Sequence, residues 1–163
     1  MKWNRRTDTA LRLLAKLAEH RKVTPSAVLA QDLGISQQAT IQLASLLQPA
    51  GLVEVVPGSY GGYFLAKDPD KLSLYEVIVS MESPDIFFRS AEQSRQETGI
   101  VDDVFCVLQE MLDSIFKSIT ISDIAKADTD IITKAKKKSL NEMILLLAHL
   151  QANHTGDPNR KGA

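Results

Sequence analysis

Two short helical segments separated by a single glycine constrain the fold of this chain more than any other feature. Thr24 and Pro25 form a typical helix start, since Thr caps free N–H groups and Pro fits the first helical position. Gly34 ends that segment, and Ser36 caps a second one that runs to about Gln48. The apolar residues that would interlock the two segments are Leu29, Leu33, Ile35, Leu43 and Leu46 or Leu47. The pattern predicts a helix–turn–helix.

Two β-prone runs follow this helical pair and enclose a glycine-rich turn. They are LVEVV at 52–56 and YFLA at 63–66, and this arrangement predicts a β-hairpin. An amphipathic segment at 7–20 precedes the pair, and Thr7 or Asp8 is positioned to cap it. Helix, helix, glycine turn, helix and hairpin, in this order, predict a winged helix–turn–helix. The expected fold class is therefore mainly α with a small β-hairpin wing.

Further helices are predicted in the rest of the chain. Ser73 opens one that ends near Ser83, a long one covers 100–119, a short turn begins at Ser122, and a final one covers 129–152. The long helix carries an apolar stripe of Val101, Val104, Phe105, Leu108, Met111, Leu112, Ile115 and Ile119. A stripe this apolar is costly to leave in water, so it is expected to form a homodimer interface. The expected domains are residues 1–83, the winged helix–turn–helix; 84–125, a linker and long dimerisation helix; and 126–163, a final helix and tail.

Positive charge is concentrated at the amino-terminal end. Residues 1–22 contain seven Lys and Arg against two acidic residues, whereas 23–66 contain no Lys or Arg. The whole chain of 163 residues has a formal net charge of −1. One edge of the protein would therefore face a polyanion while the rest stays acidic. The alternative is that these charges form an ordinary solvated helix surface.

The composition excludes several classes of protein. No apolar run is long enough to cross a bilayer and no secretory leader is evident, so a cytoplasmic location without membrane contact is expected. One cysteine is too few for an internal disulfide framework. No phosphate-binding loop, metal-binding His pair or nucleophile motif occurs. We therefore expect no enzymatic activity, no cofactor and no metal site.

Glutamines cluster at the start of the second helix of the pair. Ser36, Gln37, Gln38, Thr40 and Gln42 are expected to face outwards there, at the end that enters the major groove in helix–turn–helix proteins. A Gln amide can pair with adenine through two hydrogen bonds. These residues therefore predict sequence-specific contact with double-stranded DNA. The alternative is a three-helix core whose Gln-rich surface is only solvated.

Three pieces of the sequence resemble the Rrf-type bacterial transcription regulators. They are AGLV at 50–53, GSYGGY at 58–63 with the spacing GxxGGY, and ITISDI at 119–124. The resemblance covers about residues 1–125. It implies a winged helix–turn–helix joined to a long helix that packs against its partner's helix in a homodimer. It also implies binding to a palindromic operator, usually as a repressor.

The resemblance assigns roles to individual residues. Gln42 matches a base-contacting Gln of the family, Gln38 stands where a small hydroxyl residue often reads bases, and Pro57 replaces an Arg that often enters the minor groove. Ser59 and Tyr60 replace the usual Pro and Gly at the wing tip, so a different base preference is expected. The charge distribution, rather than the resemblance, adds the phosphate contacts Lys2, Arg5 and Arg6, with Trp3 as a packing partner at the DNA backbone. The rest of the expected DNA-binding set is Thr24, Ser36, Gln37, Thr40 and Gly61.

The cysteines that hold an iron–sulfur cluster in some family members are missing here. Those members use three cysteines between the fourth helix and the long helix, and this chain has none there. Cys106 falls inside the long helix, either as a redox sensor or as a small buried apolar side chain. A small-molecule effector, bound by 85–99, is a further expected partner. The competing interpretation of the chain is a winged helix that has lost DNA binding and acts as a protein-interaction module.

Overall fold

The computed structural model describes residues 4–82, 100–126 and 130–154. Over these residues it consists of helices and one antiparallel two-stranded hairpin, which confirms the expected fold class. None of the helices in this part of the chain is long and apolar enough to cross a membrane. In chain order the elements are α1 (Arg5–His20), α2 (Ser26–Leu33), α3 (Gln37–Leu47), β1 (Val53–Val56), β2 (Gly62–Leu65), α4 (Leu74–Met81), α5 (Ile100–Ser118), α6 (Ile121–Ala125) and α7 (Asp130–His154).

The core of the winged domain forms around one face of α1. Leu13, Leu14 and Leu17 are almost fully buried because they recur on the same side of this helix. Their core cluster includes Leu29, Leu43, Leu47, Leu52, Val53, Leu72, Val77 and Ile121. Burial of one aliphatic side chain of this size contributes roughly 1.5–3 kcal/mol. This cluster therefore holds α3 and the hairpin in fixed positions relative to α1.

The turn between α2 and α3 forms as predicted. Gly34 adopts a left-handed conformation with a φ of 64°, and its N–H donates to carbonyl oxygens in the last turn of α2. Ser36 Oγ then accepts a hydrogen bond from the N–H of Ala39 at 3.1 Å, which satisfies a free donor at the start of α3. The first turn of α3 is therefore fixed in direction by two local features of the sequence.

The predicted cap of α1 is wrong. Asn4 caps this helix rather than Thr7 or Asp8, because Asn4 Oδ1 accepts from the N–H of Arg6 at 3.1 Å. Thr7 is fully buried instead, and its hydroxyl donates to the carboxylate of Glu82. The backbone N–H of Asn4 donates to the same carboxylate oxygen at 3.3 Å. The start of α1 is thus attached to the end of α4.

The hairpin is attached to the connection between α1 and α2. β1 and β2 pair antiparallel, with Val56 opposite Gly62. Thr24 and Tyr63 form two backbone hydrogen bonds of 2.9 Å, in which the N–H of each donates to the carbonyl of the other. A Cβ atom on Gly62 would overlap with the Thr24 carbonyl, so this close approach requires glycine. The wing is therefore fixed to the helix–turn–helix by its backbone.

The helix α6 packs against α1 of the winged domain. It is capped by Thr120 rather than by the predicted Ser122, which is buried. Ile121 is fully buried in the core cluster, and its N–H donates to the Leu72 carbonyl at 2.8 Å. The end of the segment expected to serve dimerisation thus completes the core of the first domain.

The helices α5 and α7 pack against each other, and α5 also contacts α4. In the predicted dimerisation stripe, Leu108 is 41% exposed. The half-buried members of the stripe are Met111, Leu112, Ile115 and Ile119. The side chains of Val101, Val104, Phe105 and Cys106 lie outside the described part of the structure. Exposed apolar side chains on α7 are Leu140, Met143, Ile144 and Leu145. A single copy of the chain therefore leaves apolar surface in water on both helices.

Candidate nucleic-acid interface

The exposed face of α3 carries most of the predicted base-reading residues. Gln38 and Gln42 are exposed about one turn apart, and Ser36 is exposed at the cap. Gln37 is also exposed, and its Nε2 donates to Ser26 Oγ at the start of α2, at 2.8 Å. The fold therefore brings an amide-rich surface to the beginning of α3, where the capped turn fixes its direction.

Two predicted DNA contacts are wrong because their side chains are buried. Thr40 is fully buried and its hydroxyl donates to the Ser36 carbonyl at 3.2 Å. It lies three residues before Leu43, on the buried side of α3. Thr24 is 1% exposed, and its backbone is bonded to Tyr63. Neither side chain can reach a duplex, and both instead stabilise the elements that carry the surface.

A cleft between the start of α1 and α3 joins the predicted phosphate contacts to the predicted base-reading face. Its volume is about 640 Å³. Arg5, Arg6 and Thr9 line one side, and Gln42 and Leu46 line the other. No carboxylate is among the described residues that line it, and neither arginine forms an ion pair with a described residue. Guanidinium groups without acidic partners are suited to bind phosphate.

The wing tip is exposed, as expected for a contact with DNA. Tyr60 is 99% exposed, and the neighbouring Ser59 is exposed as well. Gly61 differs from them, because its N–H donates to the Gly58 carbonyl inside the turn at 2.9 Å. Gly61 therefore shapes the tip and has no free N–H to offer a phosphate. Pro57 is exposed at the start of the tip, so the wing presents hydroxyl groups rather than a cation.

Two other cations of the winged domain, Lys67 and Arg12, are engaged with carboxylates. Lys67 Nζ lies 2.7 Å from Glu76 Oε1, and this hydrogen bond is the largest cause that lowers the pKa of Glu76 below its ordinary value. Arg12 pairs at 3.0 Å with an aspartate one turn earlier on α1. These pairings reduce the charge available to a phosphate. Lys2 and Trp3 lie outside the described residues, and their contacts stay predictions.

Sequence reasoning missed part of the cleft wall. Thr9 lies on it, one turn after Arg5, and its hydroxyl donates to the Arg5 carbonyl at 2.8 Å. Leu46 is 50% exposed on the opposite wall, whereas Leu47 is fully buried in the core. Helical spacing was the signal that could have identified Leu47 as the buried leucine of the two, since it lies four residues after the buried Leu43 and continues its stripe.

The chain is similar in sequence and in structure to known transcription regulators. The sequence model of the family described as Rrf2, iron-dependent transcriptional regulator, matches residues 3–127. The HTH-type transcriptional regulator CymR of Bacillus subtilis is 27% identical over 127 residues, which cover 77% of this chain and 90% of CymR. The solved structure of CymR, the global cysteine regulator of B. subtilis, aligns with a TM-score of 0.58 and 26% identity, over 78% of this chain and 98% of that chain. The solved structure of a Listeria innocua transcriptional regulator aligns with a TM-score of 0.67 and 26% identity, over 80% of this chain and 90% of that chain.

Proposed function

Because this chain belongs to the Rrf2 family of DNA-binding transcription regulators, we propose that it binds a palindromic operator as a homodimer and represses transcription in the cytoplasm. It is a regulator rather than an enzyme. The observation that carries the proposal is the cleft in which Arg5 and Arg6 lie opposite Gln42 on α3. Phosphate contacts position a protein on the duplex and base contacts select the sequence, and this cleft holds residues for both.

The glutamines of α3 read base edges in the major groove. Gln38 and Gln42 are exposed on the face that the capped turn directs outwards, and Gln37 lies beside them. An amide that donates to and accepts from one adenine contributes roughly 1–3 kcal/mol of discrimination against the wrong base. Ser59 and Tyr60 at the wing tip contact the adjacent backbone through hydroxyl groups. Specificity therefore comes mainly from neutral amides.

The affinity for phosphate comes from the start of α1. Arg5 and Arg6 have no acidic partner among the described residues, so both charges are available to the duplex. The predicted contacts of Lys2 and Trp3 belong to the same proposal, and both residues lie outside the described part of the structure. Since α2, α3 and the wing contain no Lys or Arg, few phosphates are neutralised by each protomer. The binding constant should accordingly depend less steeply on salt than that of a strongly basic regulator.

The dimer forms through the apolar surface of α5. Leu108 is 41% exposed on α5, and Ile144 is 56% exposed on α7, which packs against it. Homodimer interfaces are more apolar than other protein surfaces, so a second copy is the natural cover for these side chains. A two-fold dimer presents two copies of α3 to one duplex. The half-sites should then lie one helical turn, about 34–36 Å, or a multiple of it apart.

The iron dependence in the family description does not fit the residues of this chain. The chain has one cysteine, and no group of three His, Cys, Asp or Glu among the described residues could hold a metal ion. Iron–sulfur clusters are held mainly by several thiolates. The signal is therefore proposed to be a small-molecule effector. The segment 85–99, expected to bind it, lies outside the described residues, and so does the side chain of Cys106, whose redox role stays a prediction.

Selection of bound sites from random DNA tests the proposal directly. We expect the wild-type protein to enrich inverted half-sites at a fixed spacing. Gln42→Ala should lose the preference at one position of each half-site and bind roughly tenfold or more weakly. Gln48→Ala is the matched control, because Gln48 is an exposed glutamine at the opposite end of α3. It should behave like wild type.

The same selection distinguishes the competing interpretation. A chain that enriches no sequence from the random pool would be a protein-interaction module rather than a DNA reader. Enrichment of single half-sites would contradict the palindromic operator. Sedimentation that shows only monomer at micromolar protein concentration would contradict the dimer.

A further inference from the structure

A second cleft lies at the opposite end of α1 from Arg5 and Arg6, with a volume of about 450 Å³. It is bordered by the end of α1, by β2 and by the loop that follows β2. Leu17 and Ala18 form a buried apolar floor, and Phe64 forms a half-buried wall. Its volume is within the range of small-molecule sites, which combine apolar walls with a few polar groups.

The charged residues on the rim of this cleft differ in whether they have an ion-pair or hydrogen-bond partner. Arg21 and Lys22 form no ion pair with any described residue. Lys67 is paired with a carboxylate on α4. Asp68 accepts from the N–H of Asp70 at 3.1 Å, and Asp70 lies 3.6 Å from a lysine that follows α6. The pKa of Asp70 is lowered, first by a hydrogen bond from Ser122, then by Lys126, and also by the charge of Arg21. Among the described residues, the rim therefore offers two adjacent cations without a direct ion pair, one of which also interacts with Asp70 at longer range.

Arg21 occupies a backbone conformation that usually belongs to glycine. It ends α1 with a φ of 52°, and its N–H donates to the Leu17 carbonyl at 3.1 Å. An L-residue is disfavoured in this left-handed region, and such outliers cluster at functional sites. A glycine would end the helix with less strain but would carry no charge. The presence of arginine there is a second observation, independent of the cleft, that points to use of its side chain.

We propose that this cleft binds a small amphipathic monocarboxylate. The carboxylate pairs with the guanidinium of Arg21 and the ammonium of Lys22, and the hydrocarbon part lies against Leu17 and Phe64. A guanidinium matches the geometry of a carboxylate through two parallel hydrogen bonds. The apolar floor rejects ligands that are charged at both ends, because the second charge would lose its water without gaining a partner.

The cleft lies next to the residues that attach the wing to the helix–turn–helix. Phe64 follows Tyr63 on β2, and Val23, which also lines the cleft, precedes Thr24. Tyr63 and Thr24 form the two hydrogen bonds that attach the wing to the helix–turn–helix. The ligand would therefore contact Val23 and Phe64, the chain neighbours of Thr24 and Tyr63. Binding itself does not rest on the proposed function, since it is measured on the free protein.

The probe for the experiment is 3-phenylpropanoate, with its neutral amide and with acetate as comparison compounds. Each is titrated into the full-length wild-type protein, and binding is followed by chemical-shift changes in ¹H–¹⁵N NMR spectra. We expect the carboxylate to bind roughly tenfold more tightly than either the amide or acetate. Equal affinity of the acid and the amide, or no shift with any of the three compounds, would overturn the proposal.

Variants locate the site. In Arg21→Gln/Lys22→Gln the preference for the acid over the amide should disappear, whereas Lys137→Gln/Lys138→Gln, with the same loss of charge on α7, should keep it. An equal loss in both variants would show attraction by overall charge and overturn the assignment. The NMR spectra also report whether each variant is folded. If the Arg21/Lys22 variant unfolds, the wild-type residues whose signals shift locate the site instead, and shifts confined to residues other than those that line this cleft would overturn the assignment.

Discussion

Replacing Arg5 and Arg6 together with alanine removes from the cleft beside α3 two cations that form no ion pair with a described residue, in each protomer of the proposed dimer. A dimer loses four. Each phosphate contact contributes about 0.9 to the slope of log affinity against log salt, so the slope should fall by about 3.6. The helix itself should persist, because alanine favours helices and the cap uses only the backbone N–H of Arg6. The affinity of the variant should therefore approach that of wild type as salt is raised.

Fluorescence anisotropy with a selected operator, at several salt concentrations, measures this slope. Between about 50 and 200 mM salt, the gap in affinity between wild type and variant should narrow by roughly a hundredfold. Lys137→Ala/Lys138→Ala is the matched control, since it removes the same charge from α7, which packs on α5. An unchanged slope in the Arg5/Arg6 variant would refute the reasoning. An equal fall in the control would assign the effect to net charge rather than to the cleft.

Three further predictions concern the scaffold. Ser36→Ala removes the cap of α3 and should lower the free energy of unfolding by about 1 kcal/mol in urea denaturation; no loss would mean that the cap is not needed. Gly62→Ala forces a methyl group into the Thr24 carbonyl and should cost roughly 1–3 kcal/mol in thermal unfolding, so a wild-type melting temperature would contradict the close approach. The pKa of Glu76 is lowered from its ordinary value of 4.5, chiefly by the hydrogen bond from Lys67. The ionised form of Glu76 therefore stabilises the fold at pH values above 4.5. The stability advantage of wild type over Glu76→Gln should therefore vanish as the pH falls below 4.5 through the folded-state pKa, and an advantage that grows on acidification would contradict the pairing.

Local signals in the sequence were sufficient to predict the turn between α2 and α3, the helix with the proposed base-reading residues. Gly34 and Ser36 act through the backbone of their own neighbours, so their roles can be inferred without any knowledge of distant contacts. Ser73 is similar, because its capping-box partner Glu76 lies three residues away. The hairpin was predictable for the same reason, since its strands and turn are contiguous. These elements position most of the candidate site.

Hydroxyl residues near helix starts were the least predictable. Thr7 looks like a cap, but its hydroxyl donates to Glu82, 75 positions away in the chain, and only the tertiary fold brings them together. Thr24 fails as a contact because its backbone pairs with Tyr63 of the wing. Thr40 is different, since its spacing to Leu43 already indicates the buried side of α3. The helical period alone therefore excludes Thr40 from the predicted DNA-contacting residues.

The paired backbones of Thr24 and Tyr63 have a consequence for the choice of operator. Two backbone hydrogen bonds attach the hairpin to Thr24, just before the start of α2, so in the proposed complex the span between the major-groove contacts and the backbone contacts is set within each protomer. If a straight duplex does not meet both the groove contacts and the backbone contacts, the DNA has to bend. Operators rich in flexible pyrimidine–purine steps at positions the protein never touches should therefore outcompete stiffer sequences with identical half-sites.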